Sequence, residues 1–300
     1  MNNDKSRFSP VDLLNLGLIF VLFLFYLSAV AHSPYKWEPL AIFAFSGLLV
    51  AGAVYLRRKK NKNILLKILL FFYPLFFLFV VFESFFMIIP WFNPVTYDTL
   101  FAETDLMILG VNPTVWIERL VHPWLTDLLC LIYIIYFPMP WFLMVWLAVK
   151  KKLRELDKSV FVLLVTYYLG YLGYFFFPAT GPRFYEPIMQ LQQKSLDGIF
   201  LAKPIRDIIM FLEPNKFDAF PSLHIAVSLT TIMLMSKYNK RLFYIFLPVV
   251  AGIFVAVIYC RYHYFIDVVA GIEISLVAYF GGEKIHSLAF EKHLGPYYKD

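Results

Sequence analysis

Residues 242–280 read LFYIFLPVVAGIFVAVIYCRYHYFIDVVAGIEISLVAYF, which is two apolar runs separated by the polar stretch Arg261 to Asp267. The predicted spans 242–260 and 264–281 have 19 and 18 residues, close to the roughly 20 that a helix needs to cross the hydrocarbon core of a bilayer. An isolated run can satisfy its backbone hydrogen bonds inside that core only as a helix. Both runs are therefore predicted to be transmembrane helices, with the polar stretch at a membrane surface.

The same pattern of apolar runs recurs along the whole chain. Its 300 residues are 60% hydrophobic, 20% aromatic and only 16% charged. This composition excludes an ordinary water-soluble domain of this size. We predict an all-α, polytopic membrane bundle with about eight transmembrane helices. The predicted spans are 12–32, 37–56, 64–89, 124–149, 159–178, 220–236, 242–260 and 264–281.

The chain is basic, with a formal net charge of +6. A basic protein can bind nucleic acid, but here the basic residues form short clusters between the apolar runs. We interpret these clusters as topology signals and as contacts with anionic membrane lipids. We therefore predict membrane lipids, and no nucleic acid, among the partners.

Three basic clusters orient the predicted spans. They lie at 57–62, 150–154 and 237–241, and each follows an even-numbered span. Because positively charged connections stay on the cytoplasmic side, these loops and both chain termini are predicted to be cytoplasmic. The segment 179–219 and the turn at Arg261 then fall on the outer side, which is periplasmic, extracellular or lumenal.

Three short stretches place ionisable side chains at the ends of predicted spans. They are Gly181-Pro182-Arg183, Pro221-Ser222-Leu223-His224 and the stretch from Arg261 to Asp267. Charged groups in a lipid-facing chain are costly unless they line a polar cavity, so their clustering indicates a functional site. Together they supply what phosphoryl transfer without a metal requires: cationic donors, a nucleophile, an acid and an orienting group.

Two histidines and an aspartate are the candidate catalytic residues. His263 and Asp267 are four residues apart, so they share a helical face if the last span begins near Tyr262. The carboxylate can then fix the tautomer of the imidazole, which makes His263 the candidate nucleophile. His224 is the candidate general acid for the leaving oxygen.

Phosphate-binding groups are predicted beside them. Arg183 and Arg261 are the candidate clamps, because the guanidinium fork suits phosphate oxygens better than a lysine does. Ser222 can offer its hydroxyl and its backbone amide. The sixth and eighth spans also begin on the outer side, where unpaired N–H groups of a helix N-terminus favour a phosphate.

The remaining ionisable residues are assigned structural roles. An arginine at a membrane edge is often a headgroup anchor, which stays the alternative for Arg183. Glu83 and Glu273 lie inside spans and are expected to form buried polar pairs. Cys130 and Cys260 have no metal-ligand or redox spacing, and no disulfide framework is expected. The histidines assigned to structural roles are His32, His122, His286 and His293.

The three stretches resemble the motifs of the type 2 phosphatidic acid phosphatase superfamily, and within it the branch similar to inositol-phosphorylceramide synthases. The resemblance covers about residues 160–285. It implies a six-helix phosphatase-like core and a covalent phosphohistidine at His263. It also implies protonation of the leaving group by His224, orientation by Asp267, and neither a metal nor another cofactor.

Three departures from the superfamily pattern make the chain similar to the synthase-like branch. Phe176 stands where the first motif usually carries a lysine, and Leu223 replaces the glycine of the second motif. Val257 occupies the place of the arginine of the third motif, and Arg261 follows one helical turn later.

Four regions are expected on this basis: 1–90 as N-terminal transmembrane helices, 91–123 as an outer interfacial segment, 124–285 as the catalytic core and 286–300 as a cytoplasmic tail. The first apolar run ends in Ala29-Val30-Ala31, which has the small residues of a signal-peptidase site. The run is nevertheless long enough to remain as an anchor, and we expect it to do so.

The expected activity is that of a lipid phosphate phosphatase or phosphotransferase at the outer membrane face. Its substrate would be a lipid phosphate, and its acceptor would be water, a polyol or a lipid hydroxyl. A headgroup phosphotransferase similar to inositol-phosphorylceramide synthase is the first alternative. A silent lipid transporter or scaffold is the second, but it predicts a polar path through the membrane, whereas this chain gathers its ionisable groups at the outer ends.

Overall fold

The computed structural model describes residues 8–58, 64–212 and 216–293. Within these ranges the secondary structure is entirely helical and contains no strand. The helices are α1 (Pro10–Ala29), α2 (Glu38–Arg58), α3 (Ile64–Phe82), α4 (Phe85–Phe92), α5 (Asp98–Leu109), α6 (Pro113–Trp116), a 3-10 turn (Ile117–Leu120), α7 (Pro123–Ile134), α8 (Met139–Val149), α9 (Leu153–Phe176), α10 (Glu186–Met189), α11 (Ala202–Leu212), α12 (Leu223–Tyr238), α13 (Lys240–Tyr259) and α14 (Phe265–His293).

Five of these helices are long and apolar enough to cross a membrane: α1, α2, α9, α13 and α14. The pairs α3 with α4 and α7 with α8 pass the same test jointly, bent by 51° and 45°, which gives up to seven spans in the described ranges. The predicted all-helical membrane class is confirmed. The sixth predicted span, 220–236, corresponds to α12, whose 16 residues extend about 24 Å, less than the hydrocarbon thickness of about 30 Å.

The interruption between α3 and α4 falls at Glu83 and Ser84. The side chain of Glu83 is exposed there, and that of Glu273 on α14 is exposed as well. The prediction that these two carboxylates form buried pairs is therefore wrong. The apolar periodicity around each glutamate did not reveal which helix face it would occupy.

One compact unit comprises Met1–Phe92, Met144–Tyr168 and Val277–Asp300. Its interior holds two polar clusters. The buried carboxylate of Asp12 accepts hydrogen bonds from the Ser9 amide at 2.8 Å, from the Tyr73 hydroxyl and from the Arg57 guanidinium. His286 and Asp157, also buried, are joined at 2.8 Å between Nε2 and Oδ2. Buried charges need such partners, and we assign both clusters to helix packing.

The helix α14 continues through residue 293, so the described part of the expected cytoplasmic tail is helical. Residues 294–300 of that tail lie outside the described residues, as does most of the basic cluster at 57–62. The predicted boundaries of the four regions stay predictions.

The second compact unit comprises Asn93–Leu143 and Leu169–Leu276, and it contains all three motif loops. Gly252 on α13 faces the side chain of Ile132 on α7 so closely that an added Cβ would meet it at 3.0 Å. The Sγ atoms of Cys130 and Cys260 are 3.9 Å apart, and both thiols are buried and free. This contact joins residues 130 positions apart and had no signal in the sequence.

Each motif loop follows or precedes a helix whose other end carries a basic loop. The helix α9 begins at Leu153, beside the lysines at 150–152, and ends at Phe176, just before the first motif. The helices α12 and α13 meet at the basic loop around Asn239, and their other ends lead into the second and third motifs. The chain therefore separates basic loops from motif loops by whole helix lengths.

Candidate active site

The third motif forms a tight connection between α13 and α14. After α13 ends at Tyr259, Arg261 adopts a left-handed backbone with φ of 65°, and α14 begins only at Phe265. His263 therefore lies in the connection and not on the helix, so the predicted shared helical face with Asp267 is wrong. The two side chains still meet, with His263 Nδ1 at 3.3 Å from Asp267 Oδ2.

A backbone carbonyl is the nearer partner of that nitrogen. His263 Nδ1 lies 2.8 Å from the carbonyl oxygen of Ala219, in the segment that leads to the second motif. A carbonyl can only accept a hydrogen bond, so we assign the proton of neutral His263 to Nδ1. The lone pair of the imidazole then resides on Nε2, so Nε2 is the nitrogen that can act as a nucleophile.

The second motif places His224 directly opposite that lone pair. Ser222 is the N-cap of α12, where its Oγ accepts from the Ile225 amide at 3.4 Å, and His224 follows in the first turn. His224 Nδ1 lies 3.3 Å from His263 Nε2. Only 5% of His224 and 3% of His263 is exposed. The structure thus brings the two predicted catalytic histidines into contact in a buried site.

Aromatic rings hold His224 in place. Tyr133 stacks on the His224 ring at a centroid distance of 4.2 Å, and its hydroxyl lies 3.4 Å from His224 Nδ1. Tyr136 packs against the same ring at 4.3 Å. Both tyrosines are buried, Tyr133 on α7 and Tyr136 in the bend that follows it. Sequence reasoning missed them, because neither tyrosine lies in one of the three motifs.

Asp267 links the second and third motifs. Its Oδ2 accepts the Tyr264 amide at 2.8 Å, which is the bond that an acidic residue in the first helical turn makes to its N-cap. Its backbone carbonyl accepts the Ser222 amide at 3.1 Å. The Asp267 side chain is fully buried, and no partner of its Oδ1 occurs among the described residues. A carboxylate in this position stabilises positive charge that develops on the neighbouring imidazole.

The N-terminus of α14 is already occupied by carboxylates. Asp267 takes the Tyr264 amide, and Asp105 of α5 takes the amides of Phe265 and Ile266 at 2.7 Å and 2.9 Å. The expectation that this helix end offers unpaired N–H groups to a phosphate is therefore wrong. At α12 the Ser222 hydroxyl fills the corresponding place, so in this structure it caps the helix.

The two predicted phosphate-binding arginines lie in two of the motif loops, Arg183 in the first and Arg261 in the third. The Arg183 guanidinium sits over the ring of Tyr262 at 4.9 Å, and that ring stacks on Tyr133 at 4.5 Å. Arg261 Nη2 donates to Glu118 Oε1 and to the carbonyl of Lys194, both at 2.5 Å. Burial lowers the pKa of Arg261, and the adjacent Glu118 carboxylate opposes that shift.

Gly181 fixes how closely the first and third motifs approach. Its backbone has a φ of 79°, a conformation that favours glycine. A Cβ at this position would collide with the carbonyl oxygen of Tyr262, the residue before His263. The glycine therefore allows the Gly181-Pro182-Arg183 turn to pack against the loop of the candidate nucleophile.

Burial has a direct consequence for the protonation of the candidate nucleophile. It lowers the pKa of His263 from 6.5 to about 4, partly offset by the hydrogen bond to Ala219. A group with a pKa of 4 is about 90% neutral at pH 5, whereas an ordinary histidine is about 3% neutral there. The imidazole therefore keeps its nucleophilic lone pair well into the acidic range.

We expect this shift to appear in the pH dependence of turnover. Because protonation removes the lone pair, the fall of kcat/KM on the acid side should begin only as the pH approaches the lowered pKa of His263, which is about 4. The measurement is kcat/KM from pH 3.5 to 8 with a phosphodiester lipid, whose phosphate does not titrate in this range. An acid limb near the ordinary histidine value of about 6.5 would contradict the buried, neutral nucleophile.

Two known proteins are similar to part of this chain. The chain is 29% identical over 173 residues to a phosphoinositol dihydroceramide synthase of Bacteroides thetaiotaomicron, covering 53% of this chain and 56% of that protein. It is 32% identical over 114 residues to a PA-phosphatase related-family protein of Dictyostelium discoideum, covering 37% of this chain and 20% of that protein. No solved structure matched the chain.

The family model of the PAP2 superfamily matches residues 103–281, which is more than half of the chain. The match contains the loops of Arg183, His224 and His263. It confirms the superfamily predicted from the three motifs, and the first relative agrees with the synthase-like branch. The chain therefore belongs to the PAP2 superfamily.

Proposed function

We propose that this protein is a metal-independent membrane enzyme that removes or transfers the phosphate of a lipid through a phosphohistidine at His263. The observation that carries the proposal is the 3.3 Å contact between His263 Nε2 and His224 Nδ1 in a buried site. One imidazole presents a lone pair and the other can carry a proton. These are the two groups that an in-line displacement at phosphorus requires.

In the first step the substrate phosphate enters between the two rings, which must separate to admit it. His263 Nε2 attacks the phosphorus, so a P–N bond forms while the bond to the lipid oxygen breaks. Imidazolium His224 gives its proton to that leaving oxygen. The positive charge on phosphorylated His263 is stabilised by Asp267 and by the Ala219 carbonyl, which lie 3.3 Å and 2.8 Å from its Nδ1.

In the second step the roles are reversed. Neutral His224 takes the proton of the acceptor hydroxyl, the acceptor oxygen forms a new bond to phosphorus, and the P–N bond breaks. His263 returns to its neutral form and His224 to its protonated form, so both histidines end the cycle in the protonation states in which they began. Arg183, which lies over the ring of Tyr262, and Arg261, which is bonded to Glu118, would bind the phosphate oxygens.

A headgroup phosphotransferase is the second candidate, and the name of the Bacteroides relative favours it. In that reaction the acceptor is the hydroxyl of a second lipid or of a polyol, and the transferred group keeps its headgroup. The matched stretch spans only about half of that relative, so the acceptor is decided by experiment. The same histidine pair serves either reaction.

A panel of substrates distinguishes the candidates. The purified protein is incubated in detergent and EDTA with lipid phosphates and phosphodiester lipids, with and without ceramide-type or polyol acceptors. Release of free phosphate by the wild type but not by a His263→Ala variant would support a phosphatase. A new phospholipid formed only when an acceptor is present would support a transferase. If neither product formed across the panel, the proposal would be overturned in favour of a silent scaffold.

We propose further that the site faces the outer side of the membrane. The motif loops lie at the helix ends opposite the basic loops, as in the segment from Leu153 to Phe176. Positive charge is retained on the cytoplasmic side, so the motif loops would lie outside and both termini inside.

Accessibility of introduced cysteines tests this orientation. Asp197 and Lys150 are both exposed, while the native cysteines are buried and give little background. A membrane-impermeant maleimide should label Asp197→Cys in intact cells, and it should label Lys150→Cys only after the membrane is permeabilised. The reverse pattern would place the motif loops on the cytoplasmic side.

A further inference from the structure

The helix α5 lies outside the three motifs, yet one of its faces is buried against the loops that carry them. Asp98, Phe101 and Asp105 occupy successive turns on that face, and each is at most 5% exposed. Residues three to four apart on a helix lie on the same side, so this face is continuous over two turns. The opposite face includes Glu103 and Met107, which are exposed.

Asp98 binds the first motif. Its carboxylate accepts the Thr180 amide at 3.0 Å from each oxygen and the Gly181 amide at 2.9 Å. The hydroxyl of Tyr264, next to the candidate nucleophile, donates to the same carboxylate at 3.0 Å. One buried side chain therefore connects the turn that presents Arg183 to the loop that presents His263.

Asp105 binds the third motif. It accepts the Phe265 and Ile266 amides at 2.7 Å and 2.9 Å, one on each carboxylate oxygen. These are the first amides of α14, which have no partner within their own helix. A negative charge at a helix N-terminus is favourable, and here it comes from a different helix, so it fixes the helix start in space. His263 lies only two residues before this anchored turn.

Phe101, which lies between the two aspartates on α5, contacts the second motif. Its ring stacks on Phe220 at a centroid distance of 4.4 Å, directly before the second motif. It also belongs to a buried cluster with Ala219, whose carbonyl accepts from His263, and with Tyr264. The face of α5 thus touches the loops of all three motifs.

We infer that Asp98 and Asp105 are positioning residues. They hold the first-motif turn and the start of α14 so that Arg183 can bind the same phosphate that His263 attacks. Neither aspartate contacts the reacting nitrogen, so each acts through the loop that it anchors. The kinetic part of this inference rests on the proposed function, whereas the anchoring of each loop is independent of it. Because the two carboxylates bind different amides, their removal should have separable local effects.

The test compares Asp98→Asn and Asp105→Asn with the control Glu103→Gln. An asparagine keeps the shape of the side chain but turns one acceptor oxygen into an NH2 group, which cannot accept an amide. Glu103→Gln removes a carboxylate from the exposed face of the same helix. All three variants are purified as the full chain, and their thermal midpoints in detergent establish that they fold.

The first readout is amide hydrogen exchange, which does not depend on activity. Asp98→Asn should speed exchange at Thr180 and Gly181 by about tenfold or more, and Asp105→Asn should do the same at Phe265 and Ile266. Each variant should leave the other pair of amides closer to the native rate. Faster exchange of equal size at both loops in both variants, or no change in either, would overturn the inference.

The second readout is steady-state kinetics with the substrate that the wild type turns over. Both variants should lose about 10- to 100-fold in kcat, the scale of a misplacement of about 1 Å, while KM changes little. If each variant sped up exchange only at its own loop and kcat nevertheless stayed unchanged, the positioning role would be overturned. If the wild type forms no product, the proposed function fails, and the exchange pattern alone decides whether α5 anchors the loops.

Discussion

Replacing His263 with asparagine is expected to lower product formation by a factor of about 10⁴ or more, because no other group can replace a lost nucleophile. Asparagine retains an amide that can donate to the Ala219 carbonyl, so the loop keeps its hydrogen bond. The loss should therefore appear in kcat and not in folding. The measurement is product formation from the best lipid substrate, beside the thermal midpoint in detergent.

The matched control is His32→Asn, which removes an exposed histidine. It should leave both turnover and the thermal midpoint close to those of the wild type. A His263→Asn variant that turned over at more than a few per cent of the wild-type rate would rule out His263 as the covalent nucleophile. It would leave a direct attack by the acceptor as the route.

Replacing His224 with glutamine is expected to have an effect that depends on the leaving group. A lipid alkoxide needs a proton when its bond to phosphorus breaks, so loss of the general acid should slow its release by about 10²- to 10⁴-fold. A nitrophenolate leaves without a proton, so nitrophenyl phosphate should phosphorylate His263 in the variant at close to the native rate. The measurement is the ratio of the single-turnover rates for the two substrates.

The second half of the cycle gives an independent check on the same variant. His224 is also the base for the acceptor hydroxyl, so the phosphoenzyme formed from nitrophenyl phosphate should accumulate. Tyr136→Phe is the matched control, because it keeps a ring against His224 and leaves His224 itself unchanged. Equal losses with both leaving groups would show that His224 positions the site and does not supply the proton.

The helical membrane class and the motif loops were predictable because their signals are local. The apolar runs on either side of residues 261–267 define two helices without any knowledge of tertiary contacts. The predicted span 264–281 begins within one residue of α14, but the shared helical face of His263 and Asp267 required a start near Tyr262, three residues before the observed start at Phe265. The left-handed backbone at Arg261 ends the preceding helix there, and that conformation is not encoded by an arginine.

The partners of the site residues were not predictable, because they come from distant parts of the chain. Glu118 is 143 positions from Arg261, and Tyr133 is 91 positions from His224. A glutamate in a segment between two predicted spans resembles a solvated charge, and a tyrosine in a span resembles interfacial packing. The Ala219 carbonyl has no sequence signature at all, although it is the nearer partner of His263 Nδ1.

Trapping the phosphoenzyme tests the central claim most directly. The wild type, His224→Gln and His263→Asn are mixed with nitrophenyl phosphate labelled at phosphorus, quenched at alkaline pH within milliseconds to seconds, digested and mapped by mass spectrometry. The account predicts an acid-labile phosphoryl group on the peptide that contains His263, more abundant in His224→Gln and absent from His263→Asn. Complete turnover of labelled substrate with no label on that peptide at any time point would contradict it.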